Sequence, residues 1–322
     1  MSAHHAHLAQ IDRTTPQLSA FAADVIAGLT AQPKRLPPKY FYDSEGSDLF
    51  EQITRTPEYY PTRTELGILR DRGAAIAQLI PADAALIEFG AGATTKMRLL
   101  LESCRFGAYV PVDISGDFLN GQAHRLRDDF PGLPVHPVVA DFTGPFALPE
   151  SVRGMARVGF FPGSTIGNFE PHEAADFLRS ARSILGGGAW MIIGVDLEKD
   201  EKILYAAYND AAGVTARFDL NLLKRINSEL GGNFDLSAFR HRAIYSRERH
   251  RIEMHLISRK AQTVRVQGRT ITFRAGETIH TENSYKYSLE RFTTLARGAG
   301  WMPHASWTDE AATFSVHALR AH

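Results

Sequence analysis

Cysteine is almost absent: Cys104 stands alone, so no disulfide can close within the chain, and a reducing compartment is expected. A surplus of charge is missing too. Lys+Arg and Asp+Glu are both 36, which leaves no basic face to hold nucleic acid and no polybasic patch for a membrane surface. No run approaches the roughly 18 apolar residues of a membrane span. Residues 1–10 carry no charged leader followed by an apolar stretch. The expectation is a cytoplasmic protein with a small-molecule substrate, without nucleic-acid or membrane partners. His4, His5 and His7 read as a frayed polar terminus, and no metal is expected.

With 322 residues, 44% hydrophobic and 22% charged, the chain has enough apolar material for one large domain or two sharing a core. Residues 18–30 carry apolar positions at helical spacing. A Pro-rich connector (33–38) and an aromatic segment follow. Asp43 and Ser47 there are candidate helix N-caps. Tyr40, Phe41, Tyr42, Tyr59 and Tyr60 lie too close together for a polar connector and suggest the wall of a cavity.

From residue 65 the pattern changes. Apolar strands at 84–90, 107–113, 135–142, 157–165 and 189–197 alternate with helical segments, which predicts a parallel sheet. Residues 199–232 read as helical and 243–285 as antiparallel strands, with a Gln-Gly turn inside TVRVQGRTITF. A helix from 289 and a strand ending near 321 close the chain. The predicted fold class is α/β, a doubly wound Rossmann-like sheet over 62–198 plus 286–322. A second α+β domain is expected from 1–61 plus 199–285.

The first strand runs into a loop with Glu88, Gly90 and Gly92 spaced E-x-G-x-G. Glycines there allow a sharp turn and a close ligand approach. Dinucleotide enzymes use a similar loop, but their third glycine would fall near Thr94 and Thr95, which weakens a pyrophosphate reading. Asp113 ends the second strand, where a carboxylate can accept from both ribose hydroxyls. Asp141 ends the third, suited to an adenine amine, with Phe142 beside the ring. Either aspartate alone is as readily a loop cap; three such features in order describe a nucleoside site. With no phosphate machinery, S-adenosylmethionine is the expected co-substrate, and Lys96 is placed to pair with its carboxylate.

The segments LPPKYFYDSEGSDLFEQITRTPEYYPTRTE, IEFGAGATTK, FFPGSTIGNF, YNDAAGVTARF, RIEMHL and HTENSYKYS together resemble the histidine Nα-methyltransferases of ergothioneine biosynthesis, over nearly the whole chain. The resemblance implies S-adenosylmethionine-dependent trimethylation of free L-histidine to hercynine. The pathway it belongs to implies a partner, a sulfoxide synthase, met only through the metabolite; separately, a monomer is expected. Carried over by position, it places Tyr59 and Tyr208 at the amino-acid backbone, Asn168 at the α-amino and carboxylate groups, and Tyr42 near the amine. Glu282 and Ser284 would hold the imidazole, with Met254 packing on the ring. Gly90, Lys96, Asp113 and Asp141 fall on cofactor positions. Tyr42 and Asn168 are the expected catalytic residues. Asn283 stands where the family pattern is expected to carry valine; strand alternation turns it away from the Glu282 face.

Read from chemistry alone, a buried carboxylate needs a donor. Histidine's ring, as imidazolium or as one tautomer, can meet a carboxylate and a hydroxyl. Glu282 is equally able to pair with Lys286 or an arginine. The rival acceptors are tryptophan, tyrosine or a methylated histidine on the same fold; the rival class is a silent nucleoside-binding protein.

Overall fold

The computed structural model describes residues 16–92 and 95–322, so the terminal histidines and Thr94 lie outside the described residues. In chain order the elements are α1 (Pro16–Thr30), β1 (Lys34–Arg35), α2 (Ser44–Ile53), α3 (Tyr60–Leu79), β2 (Ala84–Phe89), α4 (Thr95–Ser103), β3 (Phe106–Asp113), α5 (Gly116–Asp129), β4 (Val138–Val139), β5 (Arg157–Phe161), α6 (Pro171–Leu185) and β6 (Trp190–Asp196). There follow α7 (Glu201–Tyr208), α8 (Val214–Leu230), β7 (Phe239–Ser246), β8 (Arg251–Ser258), β9 (Gln262–Val266), β10 (Arg269–Phe273), β11 (Thr278–Tyr285), α9 (Leu289–Gly298), β12 (Trp301–Thr308) and β13 (Phe314–Ala321).

The larger sheet has seven strands in the order β12-β13-β6-β5-β2-β3-β4. β2 to β6 are mutually parallel, and β13 and β12 close one edge antiparallel. β2 and β6 are buried along their whole length, as strands covered on both faces must be. One face packs Ile87, Phe89 and Ile193 against Phe177 of α6 and Phe292 of α9. The other packs Leu86 and Ile192 against Ile68 of α3, Leu100 of α4 and Leu126 of α5. From β2 the chain moves outward through β3 and β4, then returns to the opposite flank as β5. The crevice between the ends of β2 and β5 is therefore the topological switch point, where open α/β sheets bind ligands.

A second sheet, β1-β11-β8-β7, lies against α8 and α7, with the β9–β10 hairpin beside it. Its hairpin turn uses Gln267 and Gly268, both at positive φ (49° and 72°), as a two-residue connection requires. Its core gathers Phe21, Phe41, Phe218, Leu222 and Phe239. β11 serves two cores: Ile279 packs in this one, whereas Tyr285 packs beneath the seven-stranded sheet.

Three expectations need correction. The predicted strand 135–142 contracts to Val138–Val139 plus one bridge at Val135, because Pro134 and Pro137 have no N–H for a ladder. β12 went unrecognised: it pairs only with β13, and Pro303 and a bulge before Ala305 break its pattern. Of the two proposed caps, Asp43 accepts from the Gly46 amide at 2.7 Å, whereas Ser47 lies inside α2, where that role does not exist. Among the described residues no helix is long and apolar enough to cross a membrane.

Candidate functional site

At the switch point β2 ends in a hook. The amides of Gly90 and Ala91 both donate to the Val112 carbonyl of β3, at 2.9 and 3.0 Å. Gly90 sits at φ +74°, and a Cβ there would stand 3.2 Å from the Phe142 ring. A Cβ on Gly92 would meet nothing within 4 Å. Gly90→Ala therefore combines a left-handed backbone, costing about 1–2 kcal/mol for a residue with a Cβ, with displacement of Phe142. Calorimetric scans with and without S-adenosylhomocysteine should show a lower midpoint and a smaller ligand-induced rise; an unchanged rise would dissociate Gly90 from the ligand.

Asp113 closes β3, its Oδ1 accepting from the Ser115 amide at 2.8 Å, and burial pushes its carboxyl up from the ordinary value. Asp141 lies two residues past β4, not on it, and is exposed; its Oδ1 accepts from the Thr143 amide (3.0 Å) and hydroxyl (2.5 Å). Phe142 packs edge-on against Phe161 and Phe177. A glycine turn with the Asp113 carboxylate at a strand end and the Asp141 carboxylate in the loop after β4 fits a nucleoside with vicinal hydroxyls and an exocyclic amine.

Two cofactor residues sit otherwise than expected. Glu88 is buried and bonded by the Tyr109 hydroxyl, and burial pushes its carboxyl to about 7. Lys96 does not stand open: its Nζ pairs with Glu65 Oε2 at 2.6 Å. Glu65, buried, also accepts from the Gly163 amide at 2.9 Å. A Cβ on Gly194 would lie 2.0 Å from Glu65 Oε1, so that glycine is what admits the carboxylate. Sequence reasoning missed Glu65, whose placement needs contacts from α4, β6 and the loop after β5.

The second half of the site is built from β11. Glu282 and Ser284 alternate onto one face, and Met254 of β8 stands in register with Glu282. Tyr208 closes α7 and Tyr59 precedes α3; their rings meet edge-on at 6.2 Å. Tyr42 meets Phe50 and Phe218 edge-on at 5.7 and 5.8 Å. The residue as a whole is 39% exposed, while its hydroxyl is buried. Its hydroxyl feels Glu282, Tyr59 and Tyr208, and burial chiefly, then those neighbours, pushes its pKa well up. Tyr59 and Tyr208 are pushed up likewise, burial leading in both.

Asn168 ends a 3-10 turn (Thr165–Asn168) that follows β5. Gly167 rests on β11, where a Cβ would come within 2.7 Å of the Tyr285 carbonyl. Ser164, at φ 57°, accepts the Asp196 amide at 2.8 Å. The turn that carries Asn168 is thus clamped to both sheets. Asn283 faces away from Glu282, its Nδ2 donating to Glu170 Oε1 at 3.1 Å.

Burial, then the neighbouring Asp219, pushes Glu282 up to about 8; Lys286 and His241 oppose this. Lys286 is nevertheless not its ion-pair partner. Its Nζ lies 2.7 Å from Asp196 Oδ2 and donates to Ser284 Oγ (2.7 Å) and Tyr208 Oη (3.0 Å). Asp196 also takes Lys199 at 2.6 Å and the Tyr60 hydroxyl at 2.8 Å, and the two lysines hold its carboxyl below the ordinary value against burial. His241 bonds Asp219 Oδ2 at 2.6 Å and the Tyr208 carbonyl at 2.8 Å. Of these groups only Lys286 left a sequence signal: one residue past β11, it continues the alternation of Glu282 and Ser284. No group of three or more His, Cys, Asp and Glu side chains able to hold a metal ion occurs among the described residues.

A family profile described as "Histidine-specific methyltransferase, SAM-dependent" matches residues 21–321. Histidine N-alpha-methyltransferase of Mycolicibacterium smegmatis is 43% identical over 304 residues, covering 92% of this chain and 94% of that protein. The protein of that name from Mycobacterium tuberculosis is 41% identical over 303 residues, with the same coverage. Ergothioneine biosynthesis protein 1 of Neurospora crassa is 30% identical over 86% of this chain and 32% of its own length.

Proposed function

Because the chain belongs to the histidine-specific, S-adenosylmethionine-dependent methyltransferases, we propose that it methylates the α-amino nitrogen of free L-histidine three times, giving the trimethylammonium betaine hercynine on the way to ergothioneine. The observation that carries this reading is the β11 face. A buried carboxylate, Glu282, and a hydroxyl, Ser284, lie on one face of β11 with Met254 of the neighbouring strand beside Glu282 and tyrosines close by, as an imidazole with two ring nitrogens requires.

Bound S-adenosylmethionine supplies an electrophilic methyl carbon. Gly90, Gly92, Asp113, Asp141 and Phe142 would hold its nucleoside at the switch point, and Lys96, beside Glu65, its methionine end. The remaining work belongs to the acceptor side. An α-amino group has a pKa near ~8, so a usable neutral fraction exists without a strong base. Asn168, on its clamped turn, and Tyr59 and Tyr208 aim the nitrogen lone pair, which is where most of the rate enhancement would arise. The raised pKa values of Tyr42, Tyr59 and Tyr208 keep these groups as hydroxyls. Tyr42, whose hydroxyl lies near Glu282, Tyr59 and Tyr208, then relays the departing proton as a hydroxyl rather than acting as a phenolate base. As methyl groups accumulate, the nitrogen loses donors and becomes a bulky cation, which aromatic faces accommodate.

The test is incubation of the purified protein with S-adenosylmethionine and an equimolar mixture of the common amino acids, followed by mass spectrometry. Histidine alone should gain one, two and then three methyl groups. Methylation of a different amino acid would overturn the assignment of Glu282 and Ser284, and arrest at one methyl group would overturn trimethylation.

A further inference from the structure

Lys286 is fully buried one residue beyond β11 and presents three N–H donors to three oxygens: Asp196 Oδ2, Ser284 Oγ and Tyr208 Oη. The two hydroxyls also bond each other, at 2.7 Å. Each hydroxyl has a single hydrogen, so one of the two O–H groups is consumed between them and the other must point elsewhere. A phenol is the better donor and an alkyl hydroxyl the better acceptor, which favours Tyr208 donating to Ser284. Ser284 Oγ then accepts from both Lys286 and Tyr208, its lone pairs are filled, and its one remaining capacity is to donate. Were Lys286 absent, Ser284 would regain a lone pair and could accept from a ligand N–H instead.

We propose that Lys286, anchored by Asp196, is a positioning residue that makes Ser284 a hydrogen-bond donor only, so that the pocket selects the acceptor's imidazole in its neutral form. The ring nitrogen facing Ser284 must carry a lone pair, and the one facing Glu282 carries the N–H. An imidazolium would turn an N–H toward a saturated oxygen, in a buried setting where an unmade hydrogen bond is costly. Asp196 fits the anchoring role because it is itself buried and held by Lys199 and Tyr60, so Lys286 cannot swing toward Glu282 without leaving a carboxylate behind. This inference rests on histidine being the acceptor.

The test takes the full-length protein saturated with S-adenosylhomocysteine and L-histidine labelled with nitrogen-15 in the ring. About one pH unit below the ordinary ring value of ~6.5, free histidine is mostly imidazolium. The bound ring should instead show two widely separated nitrogen resonances, the signature of a neutral tautomer. The Lys286→Met protein should bind histidine roughly tenfold or more weakly at neutral pH, and its bound ring should move toward the closely spaced imidazolium pattern. Ser284→Ala, which removes the donor and leaves Lys286 on Asp196, should lose the neutral preference as well. An imidazolium pattern in the wild-type complex overturns the proposal alone. A neutral pattern that survives in either variant also overturns it, because another group would then set the ring's protonation. Failure of wild type to bind histidine at all overturns the acceptor reading, and this inference with it.

Discussion

Glutamine in place of Glu282 should raise the KM for histidine about 10- to 150-fold, the worth of a buried hydrogen bond to a charged group, while kcat changes far less. The KM-against-kcat split matters because, on the proposed reading, Glu282 meets the ring rather than the reacting nitrogen, and its contribution would then be the same before and during methyl transfer. The pH dependence follows from the same residue. In the empty pocket Glu282 keeps its proton up to about 8, whereas accepting a ring N–H calls for the carboxylate. Histidine binding at pH 7 should therefore expel about one proton from this group, and affinity should climb with pH until about 8. Titration calorimetry in buffers of differing ionisation heat reads that proton directly, and the Glu282→Gln enzyme should release correspondingly fewer.

Stability moves the opposite way. Between the ordinary value of 4.5 and about 8, folded Glu282 holds a proton that the unfolded chain has given up, so stability falls as pH rises through that window. The loss is absent below 4.5 and complete above about 8. Glu282→Gln should accordingly melt at a higher temperature than wild type above about pH 8 and converge with it toward 4.5. A variant with wild-type KM, or with no stabilisation at high pH, would remove Glu282 from the pocket.

The second large effect is expected at the other half of the site. Asp113→Ala removes a carboxylate able to accept from both ribose hydroxyls. With each charge-assisted bond worth about 1.5–3 kcal/mol, the dissociation constant for S-adenosylhomocysteine should rise by two orders of magnitude or more. If Asp113 and Glu282 serve separate subsites, as proposed, the loss of S-adenosylhomocysteine affinity caused by Asp113→Ala should be nearly the same with and without Glu282→Gln. Titration of S-adenosylhomocysteine into each protein checks both statements; wild-type affinity in Asp113→Ala would withdraw the ribose assignment.

Much of this architecture was readable from residue patterns. Continuous apolar runs such as AALI and WMIIGV announce strands buried on both faces, and E-x-G-x-G marks the turn off the first of them. Alternation along TENSYK separates Glu282 and Ser284 from Asn283 without any coordinates. What failed was information held by partners distant in the chain. Lys96 looks from sequence like an open lysine at a helix start, and only the fold brings Glu65 to it. Lys286 looks from sequence like a possible partner for Glu282, because nothing near it in the chain reveals Asp196 ninety positions earlier. Edge strands are obscured for another reason: β4 and β12 each pair on one side only, so Pro134 and Pro137 just before β4, and Pro303, His304 and Ser306 within β12, stand where a central strand could not hold them.

The pairing of β1 with β11 bears on how the protein is made. Lys34, in the two-residue strand that follows α1, lies parallel to Ile279 and bonds Glu277, 243 positions later in the chain. The aromatic wall near the amino terminus therefore emerges from the ribosome long before the strand that completes its core. At about 5–20 residues per second, those rings wait more than ten seconds without their permanent partners. During that interval Phe21, Phe41 and Phe50 are available to chaperones and to other nascent chains. Slower translation of the carboxyl-terminal third should thus lower the yield of folded protein more than equal slowing near the start.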